Sequence, residues 1–328
     1  MLEMAQSVTR PREARPVDPL FRAEVLLGLG QAQKTIPARW LYDRRGSELF
    51  EDITRLEEYY PSRTETALLR HHGRDIALHC GPGRVVVEFG SGSSAKTPLL
   101  LEAVDPSAYV AIDICGEFLR HACDELAGTF DELEIWPVEA NFMAPVALPP
   151  RLAGQRTLGF FPGSTIGNML PADAVDLLRM MRHTLGERAQ LLIGIDRTKA
   201  PSRLLPAYDD ARGVTAAFNL NLLDRINDEL GGDIPVARFR HEARWNADWQ
   251  RIEMHLAATG PVSFSVAGRR FAMLAGETIH TENSHKYAPE QAGLLLRAGG
   301  WSPVQQWTDG NGDFLLLLTE ATPSDLSP

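Results

Sequence analysis

Val85-Val86-Val87-Glu88-Phe89-Gly90-Ser91-Gly92-Ser93-Ser94-Ala95-Lys96 is the stretch on which the fold turns. Three β-branched residues in a row favour a buried strand. Gly90, Gly92 and Ala95 match the spacing of a nucleotide-binding strand–turn–helix loop. In such a loop glycines make the tight turn and let backbone approach a ligand closely. Glycine-rich turns are common in α/β chains, so the loop needs support, and Tyr109-Val110-Ala111-Ile112-Asp113 supplies it. That run is a second strand ending in an acid roughly twenty residues after the glycines, where such folds hold ribose hydroxyls. Asp113 also suits a helix N-cap after the strand. The glycine turn upstream favours the ribose role.

Glu88, two residues before Gly90, bears on which nucleotide is bound, unless its side chain points away from the loop. A carboxylate there sits badly beside a pyrophosphate and well beside a sulfonium and an ammonium. S-adenosylmethionine carries both and has no phosphate, so a methyl donor is favoured over a dinucleotide.

Strand and helix patterns alternate around this loop. Thr64 to Ala77 has helical spacing, and Thr97 to Val104, Glu117 to Leu126 and Ala172 to Leu185 follow the next turns. Leu133 to Val138, Thr157 to Phe161 and Gln190 to Ile195 are strands. Such alternation predicts a parallel sheet with helices on both faces and ligands at the carboxyl ends of the strands. Gly90, Asp113, Asn141 and the loop Gly163-Ser164-Thr165-Ile166-Gly167-Asn168 then share one edge. After Asp196 the pattern changes. Residues 200–230 are helical and 236–275 look antiparallel, with alternation in Arg251 to Leu256 and Val262 to Val266. A helix from Pro289 to Ala298 and strands near Val304 to Trp307 and Asp313 to Thr319 complete the sheet. The 200–286 block is too long for a connecting loop and is expected to be an inserted substrate-recognition unit.

Composition limits the partners. The 328 residues hold 44% hydrophobic and 23% charged side chains, as in an ordinary globular protein. A net charge of −10 disfavours nucleic acid and anionic membranes. The apolar run Phe314 to Leu318 is too short to span a bilayer. The Arg- and Pro-rich start lacks the apolar core of a signal peptide, so a cytoplasmic location is expected, with residues 1–18 disordered. Cys80, Cys115 and Cys123 are too few and too scattered for a disulfide framework or zinc site. No HExxH or CxxC pattern occurs, and no metal is expected. The segment from Pro37 to Glu65 is dense in aromatics and turn formers. Tyr42, Tyr59 and Tyr60 either pack beneath a domain or line a polar pocket.

Seven motifs in order carry a resemblance: Trp40-Leu41-Tyr42-Asp43, Glu58-Tyr59-Tyr60-Pro61, Glu88-Phe89-Gly90-Ser91-Gly92, Gly163-Ser164-Thr165-Ile166-Gly167-Asn168, Tyr208-Asp209-Asp210, Glu253-Met254 and Thr281-Glu282-Asn283-Ser284. Together they resemble the L-histidine N-alpha-methyltransferases of ergothioneine biosynthesis. That family uses S-adenosylmethionine to trimethylate the α-amine of free histidine, giving hercynine. The resemblance covers residues 20–320 and implies a Rossmann-like class I methyltransferase domain with a discontinuous α+β substrate domain. The expected division is 19–62 with 198–286 for substrate and 63–197 with 287–328 for S-adenosylmethionine.

The resemblance also implies roles. Glu88, Gly90, Gly92, Lys96, Asp113, Asn141 and Phe142 would form the methyl-donor site. Tyr59 and Asn168 would hold the substrate amine, and Asn168 with Tyr208 its carboxylate. Gly163 would belong to the same subsite. Glu282 and Ser284 would bond the imidazole nitrogens, Met254 would pack beside the ring, and Tyr42 would lie near the reacting nitrogen. Tyr42, Tyr59 and Asn168 are the implied catalytic group. An expected Asp before Phe142 is Asn141 here; its amide oxygen can still accept from an adenine amino group, at some loss of cofactor affinity. The expected partners are L-histidine and its mono- and dimethyl forms, without nucleic acid or membrane, and a monomer is expected.

Side-chain chemistry agrees with these roles. An imidazole with one N–H and one acceptor needs a carboxylate plus a hydroxyl, which Glu282 and Ser284 supply. Methyl transfer is an in-line displacement, so the protein's task is alignment and handling of charge. A phenol with pKa near ~10 is a poor base at neutral pH, which argues against Tyr42 or Tyr59 in that role. Taken singly, each residue also has a plainer place: Glu282 in a surface loop, Asn168 in a turn, Met254 in a core, Lys96 in solvent. Two rival functions stand beside this one. One is methylation of another amine by the same fold. The other is a dinucleotide oxidoreductase or a nucleotide sensor.

Overall fold

A computed structural model describes residues 17–92 and 94–323. The expectation of disorder at the N-terminus lies outside the described residues, apart from Val17 and Asp18. The helices are α1 (Pro19–Leu29), α2 (Arg44–Thr54), α3 (Tyr60–Cys80), α4 (Thr97–Val104), α5 (Gly116–Ala127), α6 (Pro171–Leu185), α7 (Pro201–Tyr208), α8 (Val214–Leu230) and α9 (Pro289–Ala298). The strands are β1 (Lys34–Thr35), β2 (Val85–Phe89), β3 (Ala108–Asp113), β4 (Glu134–Glu139), β5 (Thr157–Phe161), β6 (Gln190–Asp196), β7 (Phe239–Asn246), β8 (Arg251–Ala258), β9 (Val262–Val266), β10 (Arg269–Met273), β11 (Thr278–His285), β12 (Trp301–Thr308) and β13 (Phe314–Ala321).

The Val85–Val87 run forms β2, buried along its whole length, inside a seven-stranded sheet of order β12-β13-β6-β5-β2-β3-β4. From β6 to β4 all neighbours are parallel, while β13 runs antiparallel to β6 and β12 to β13. Val85, Val87 and Phe89 pack with α6 and α9 on one face; Val86 packs with α3, α4 and α5 on the other. Coverage on both faces explains why this strand is apolar throughout rather than alternating. Chain order reverses between β2 and β5, and that switch point opens a crevice at the carboxyl ends of the strands.

A second core joins α1, α2, α7 and α8 to β7–β11, including Phe21, Trp40, Leu49, Phe218, Leu222, Met254 and Ile279. Its main sheet has the order β1-β11-β8-β7, with β11 and β7 both antiparallel to β8. A bulge interrupts the pairing between His280 and Glu282. It leaves His280 opposite His255 and Glu282 opposite the buried Met254. The inserted residue, Thr281, is anchored by its hydroxyl to Asn219 Oδ1 at 2.7 Å and to the Met254 carbonyl at 3.1 Å. Bulges re-aim side chains in this way, and here the result is that Glu282 and Ser284 both face inward.

Two helices depart from the sequence reading. α2 was not foreseen in the aromatic-rich segment: Asp43 caps it, accepting from Gly46 N at 2.7 Å, and Leu49 and Ile53 bury its inner face. α3 begins at Tyr60 and runs to Cys80, four residues earlier and three later than the Thr64–Ala77 pattern, with Pro61 in its first turn.

Candidate active site

The glycine loop leaves β2 with Gly90 at φ +74° and Gly92 at φ +52°. The Gly92 amide donates to Asp113 Oδ2 at 2.9 Å, and the Cys115 amide donates to Asp113 Oδ1 at 3.0 Å. Asp113 therefore ties the loop to the turn that starts α5, while the N-cap of that helix is Cys115 rather than Asp113. Phe142 flanks Gly90, and its ring meets Phe161 edge-on at 5.8 Å. Asn141 Oδ1 accepts from Met143 N at 3.0 Å, leaving one lone pair on that oxygen. Glu88 is buried beneath the loop, where its Oε2 accepts from Thr97 Oγ1 at 2.6 Å and Tyr109 OH at 2.7 Å. Burial pushes its carboxyl up to about 7 against those two bonds.

Lys96 is not solvated. Its Nζ pairs with Glu65 Oε2 at 2.5 Å, and the same oxygen accepts from the Gly163 amide at 2.8 Å. Glu65 is 0% exposed, and its Oε1 has no hydrogen-bond partner among the described residues. It lies over Gly194 of β6, where a Cβ would come within 2.0 Å of that oxygen. The sheet has no room for a side chain at 194 because an acid is buried there. Sequence reading missed Glu65, although a signal existed: at spacings of three and four it shares the buried stripe of α3 with Leu68 and Leu69.

Beside the crevice, Tyr42, Tyr59, Gly163, Asn168, Tyr208, Met254, Glu282 and Ser284 line one pocket of about 480 Å³, counting its mouth. These residues are far apart in sequence and were all singled out for the substrate or catalysis. Phe50 and Phe218 join them, and their absence from the sequence list is a second omission. Tyr42 meets Phe50 at 5.6 Å and Phe218 at 5.4 Å, Phe50 meets Tyr59 at 6.2 Å, and Tyr59 meets Tyr208 at 6.1 Å. The wall is thus an aromatic box whose ring faces attract cations.

Glu282 is the acid of this box. It is 8% exposed and accepts from Asn168 Nδ2 at 3.0 Å, and the Tyr42 phenol lines the same pocket. Burial pushes its carboxyl up to about 7, opposed by the charge of Lys286 and by the neighbouring Tyr42 phenol. Burial also raises the Tyr42, Tyr59 and Tyr208 phenols well above their ordinary value, with Glu282 adding to the rise at Tyr42. All three hydroxyls therefore stay protonated and can donate, and none is a base at neutral pH. Asn168 reaches Glu282 because its turn packs directly on β11: a Cβ at Gly167 would lie 2.8 Å from the His285 carbonyl oxygen.

Behind the pocket is a charged network that sequence reading did not find. Lys286 Nζ donates to Tyr208 OH at 2.7 Å, to Ser284 Oγ at 2.8 Å and to Asp196 Oδ2 at 2.7 Å. Asp196, at the end of β6, also accepts from Tyr60 OH at 2.8 Å and pairs with Lys199. Burial alone would raise the Asp196 carboxyl; the two ammonium groups overcome this and hold it below the usual range. On the outer side of β8 and β11, Glu253, His255 and His280 form a further polar group, and Glu253 is already bonded twice by Arg251 and once by Asn246.

A doubly wound sheet with a glycine loop, a carboxylate after its second strand and an amine-sized aromatic pocket opening beside it defines an S-adenosylmethionine-dependent methyltransferase. Within that class the chain belongs to the histidine-specific, S-adenosylmethionine-dependent methyltransferase family, whose model matches residues 21–321. It is 40% identical to the histidine N-alpha-methyltransferase of Mycolicibacterium smegmatis over 304 residues, 91% of this chain and 94% of the relative. Identity to the enzyme of the same description from Mycobacterium tuberculosis is 39% over the same shares. Ergothioneine biosynthesis protein 1 of Neurospora crassa is 31% identical, across 89% of this chain and 34% of that longer protein.

Proposed function

We propose that this protein transfers methyl groups from S-adenosylmethionine to the α-amine of L-histidine, three times in succession. The product is hercynine, and the reaction opens ergothioneine biosynthesis. The observation that carries this reading is the buried Glu282 carboxylate, aimed from β11 into an aromatic box next to the glycine loop. An acid there needs a ligand N–H, and Ser284, two residues on along the same strand face, supplies the complementary hydroxyl. Same-face positions are about 6.6 Å apart along a strand, enough to bracket an imidazole ring.

Residues 19–62 with 198–286 form the substrate side in this reading, and 63–197 with 287–328 the cofactor side. Gly90, Gly92 and Asp113 hold the nucleoside, Asn141 and Phe142 the adenine, and Lys96 the donor's carboxylate. Glu88 acts from beneath the loop, keeping it in place through Thr97 and Tyr109. Tyr59 and Asn168 orient the amine, Gly163 and Asn168 hold the substrate's carboxylate, and Tyr208 lines that end of the pocket. Met254 packs beside the imidazole.

The donor supplies an electrophilic methyl carbon; the protein supplies alignment. The α-nitrogen attacks after losing its proton, the carbon–sulfur bond breaks, and S-adenosylhomocysteine leaves. The phenols are too weakly acidic to be the base, so they donate hydrogen bonds and offer ring faces to the growing methylammonium, at about 0.5–2 kcal/mol per cation–π contact. That preference keeps mono- and dimethylhistidine in the same box. The reading is tested by titrating histidine into the protein saturated with S-adenosylhomocysteine. The native protein should bind it, and Glu282→Ala should lose at least about tenfold in affinity while binding S-adenosylhomocysteine as before. Equal histidine affinity in both proteins would move the substrate away from Glu282.

A further inference from the structure

Lys286 is among the least exposed cations of the described residues, at 1%, although it lies only four residues before the exposed Glu290. Its ammonium has three hydrogens and meets three oxygens, those of Tyr208, Ser284 and Asp196. An ammonium only donates. Both hydroxyl oxygens must therefore accept from Lys286. The two hydroxyls also touch each other at 2.8 Å, so one of their two hydrogens lies between them. An aromatic hydroxyl is a better hydrogen-bond donor than an aliphatic one, so Tyr208 gives its hydrogen to Ser284. Ser284 Oγ then accepts twice, which fills both lone pairs. Its own hydrogen is left for the pocket it lines.

We infer that Lys286 is a specificity-determining residue, which holds Ser284 as an obligate hydrogen-bond donor so that the pocket selects a neutral imidazole ring. The inference rests on the proposed function. Glu282 accepts from the ring's N–H, Ser284 donates to the ring's bare nitrogen, and each end rejects the opposite group. Without Lys286 a serine hydroxyl would turn to donate or accept, and the second ring nitrogen would no longer be read. Asp196 and Lys199 allow the ammonium to be buried, since Asp196 neutralises it and Lys199 gives Asp196 a second partner.

The test uses the two pyrrolylalanine isomers, each of which keeps one ring N–H and replaces the other nitrogen by C–H. Methyl transfer to histidine and to both isomers is measured for the full chain, Lys286→Met and Ser284→Ala. The native enzyme should prefer histidine over the better isomer by at least about a hundredfold in kcat/KM, because a site built to bond a polar atom strongly rejects the analogue without it. Both variants should show this ratio reduced to less than about tenfold, whatever their absolute rates. A hundredfold preference surviving in Lys286→Met, or in Ser284→Ala, overturns the inference. Lys286→Met leaves Asp196 with Lys199 as counter-charge; should it fail to bind S-adenosylhomocysteine, Lys286→Met with Asp196→Asn removes both charges of the buried pair and carries the same comparison. Failure of the native chain to methylate histidine would instead refute the functional proposal, and is seen before any variant is made.

Discussion

Replacing Glu65 by alanine should disturb stability and cofactor binding together. One buried oxygen of Glu65 holds the Lys96 ammonium and the Gly163 amide, so it joins the loop after β2 to the loop after β5 across the crevice. Removing it leaves a largely buried cation and a backbone donor unpaired. Breaking such a pair costs about 3–5 kcal/mol. At roughly 2 °C per kcal/mol for a chain of this size, Tm should fall by about 6–10 °C. With Lys96 released, affinity for S-adenosylhomocysteine should fall by at least about tenfold, which is 1.4 kcal/mol. Glu65→Gln keeps an acceptor for Gly163 but loses the ion pair, and should fall between the native protein and the alanine variant on both scales. Differential scanning calorimetry gives the first quantity and isothermal titration the second. A Glu65→Ala protein that melts within 2 °C of native, an allowance of about 1 kcal/mol, and binds S-adenosylhomocysteine equally well would refute the reasoning.

Other consequences follow from the same geometry. Glu88 titrates near 7 in the fold and near 4.5 when unfolded, so the native state binds the extra proton and stability falls as pH rises through that window. Neutral Glu88→Gln should therefore gain on the native protein by about 2 kcal/mol between pH 5 and pH 8, read as a difference in denaturant midpoints; a constant difference would contradict it. Histidine affinity should drop as pH falls below about 7, where Glu282 gains a proton and its charge-assisted bond to the ring N–H weakens. Tyr42→Phe removes a buried hydroxyl from the pocket that holds Glu282 and should lower kcat/KM for histidine about tenfold, about 1.4 kcal/mol, with donor binding unchanged. Phe218→Ala opens the aromatic box and should slow the third methylation more than the first, visible as accumulated dimethylhistidine.

The central sheet was legible because its strands are buried on both faces, so Val85–Val87, Leu158–Phe161 and Leu191–Ile195 stand out as continuous apolar runs. The glycine loop and Asp113 were legible because β2 and β3 are consecutive and adjacent strands, so the turn after one and the acid ending the other meet at a short, fixed spacing. Helix α2 escaped notice because Gly46 and Ser47 occupy its first turns and weaken the propensity signal, while Asp43 reads equally well as a turn residue. The bulge at Thr281 is set by a hydrogen bond to Asn219 on α8, a partner that local sequence cannot name. Lys286 and Asp196 escaped for the same reason. Each is an ordinary charged residue locally, and only pairing across 90 positions makes either one buried. Met254, Glu282 and Ser284 were read from motif resemblance, and the fold explains the motif: β8 and β11 are neighbours, so those side chains meet on one face.

The most direct test is a time course of intact-mass measurements on histidine incubated with this protein and S-adenosylmethionine, with fragmentation to locate the added groups. The account predicts successive gains of one, two and three methyl groups, all on the α-nitrogen, with stoichiometric S-adenosylhomocysteine. Cofactor binding without any gain in the mass of histidine, or methyl groups found on the imidazole, would contradict it.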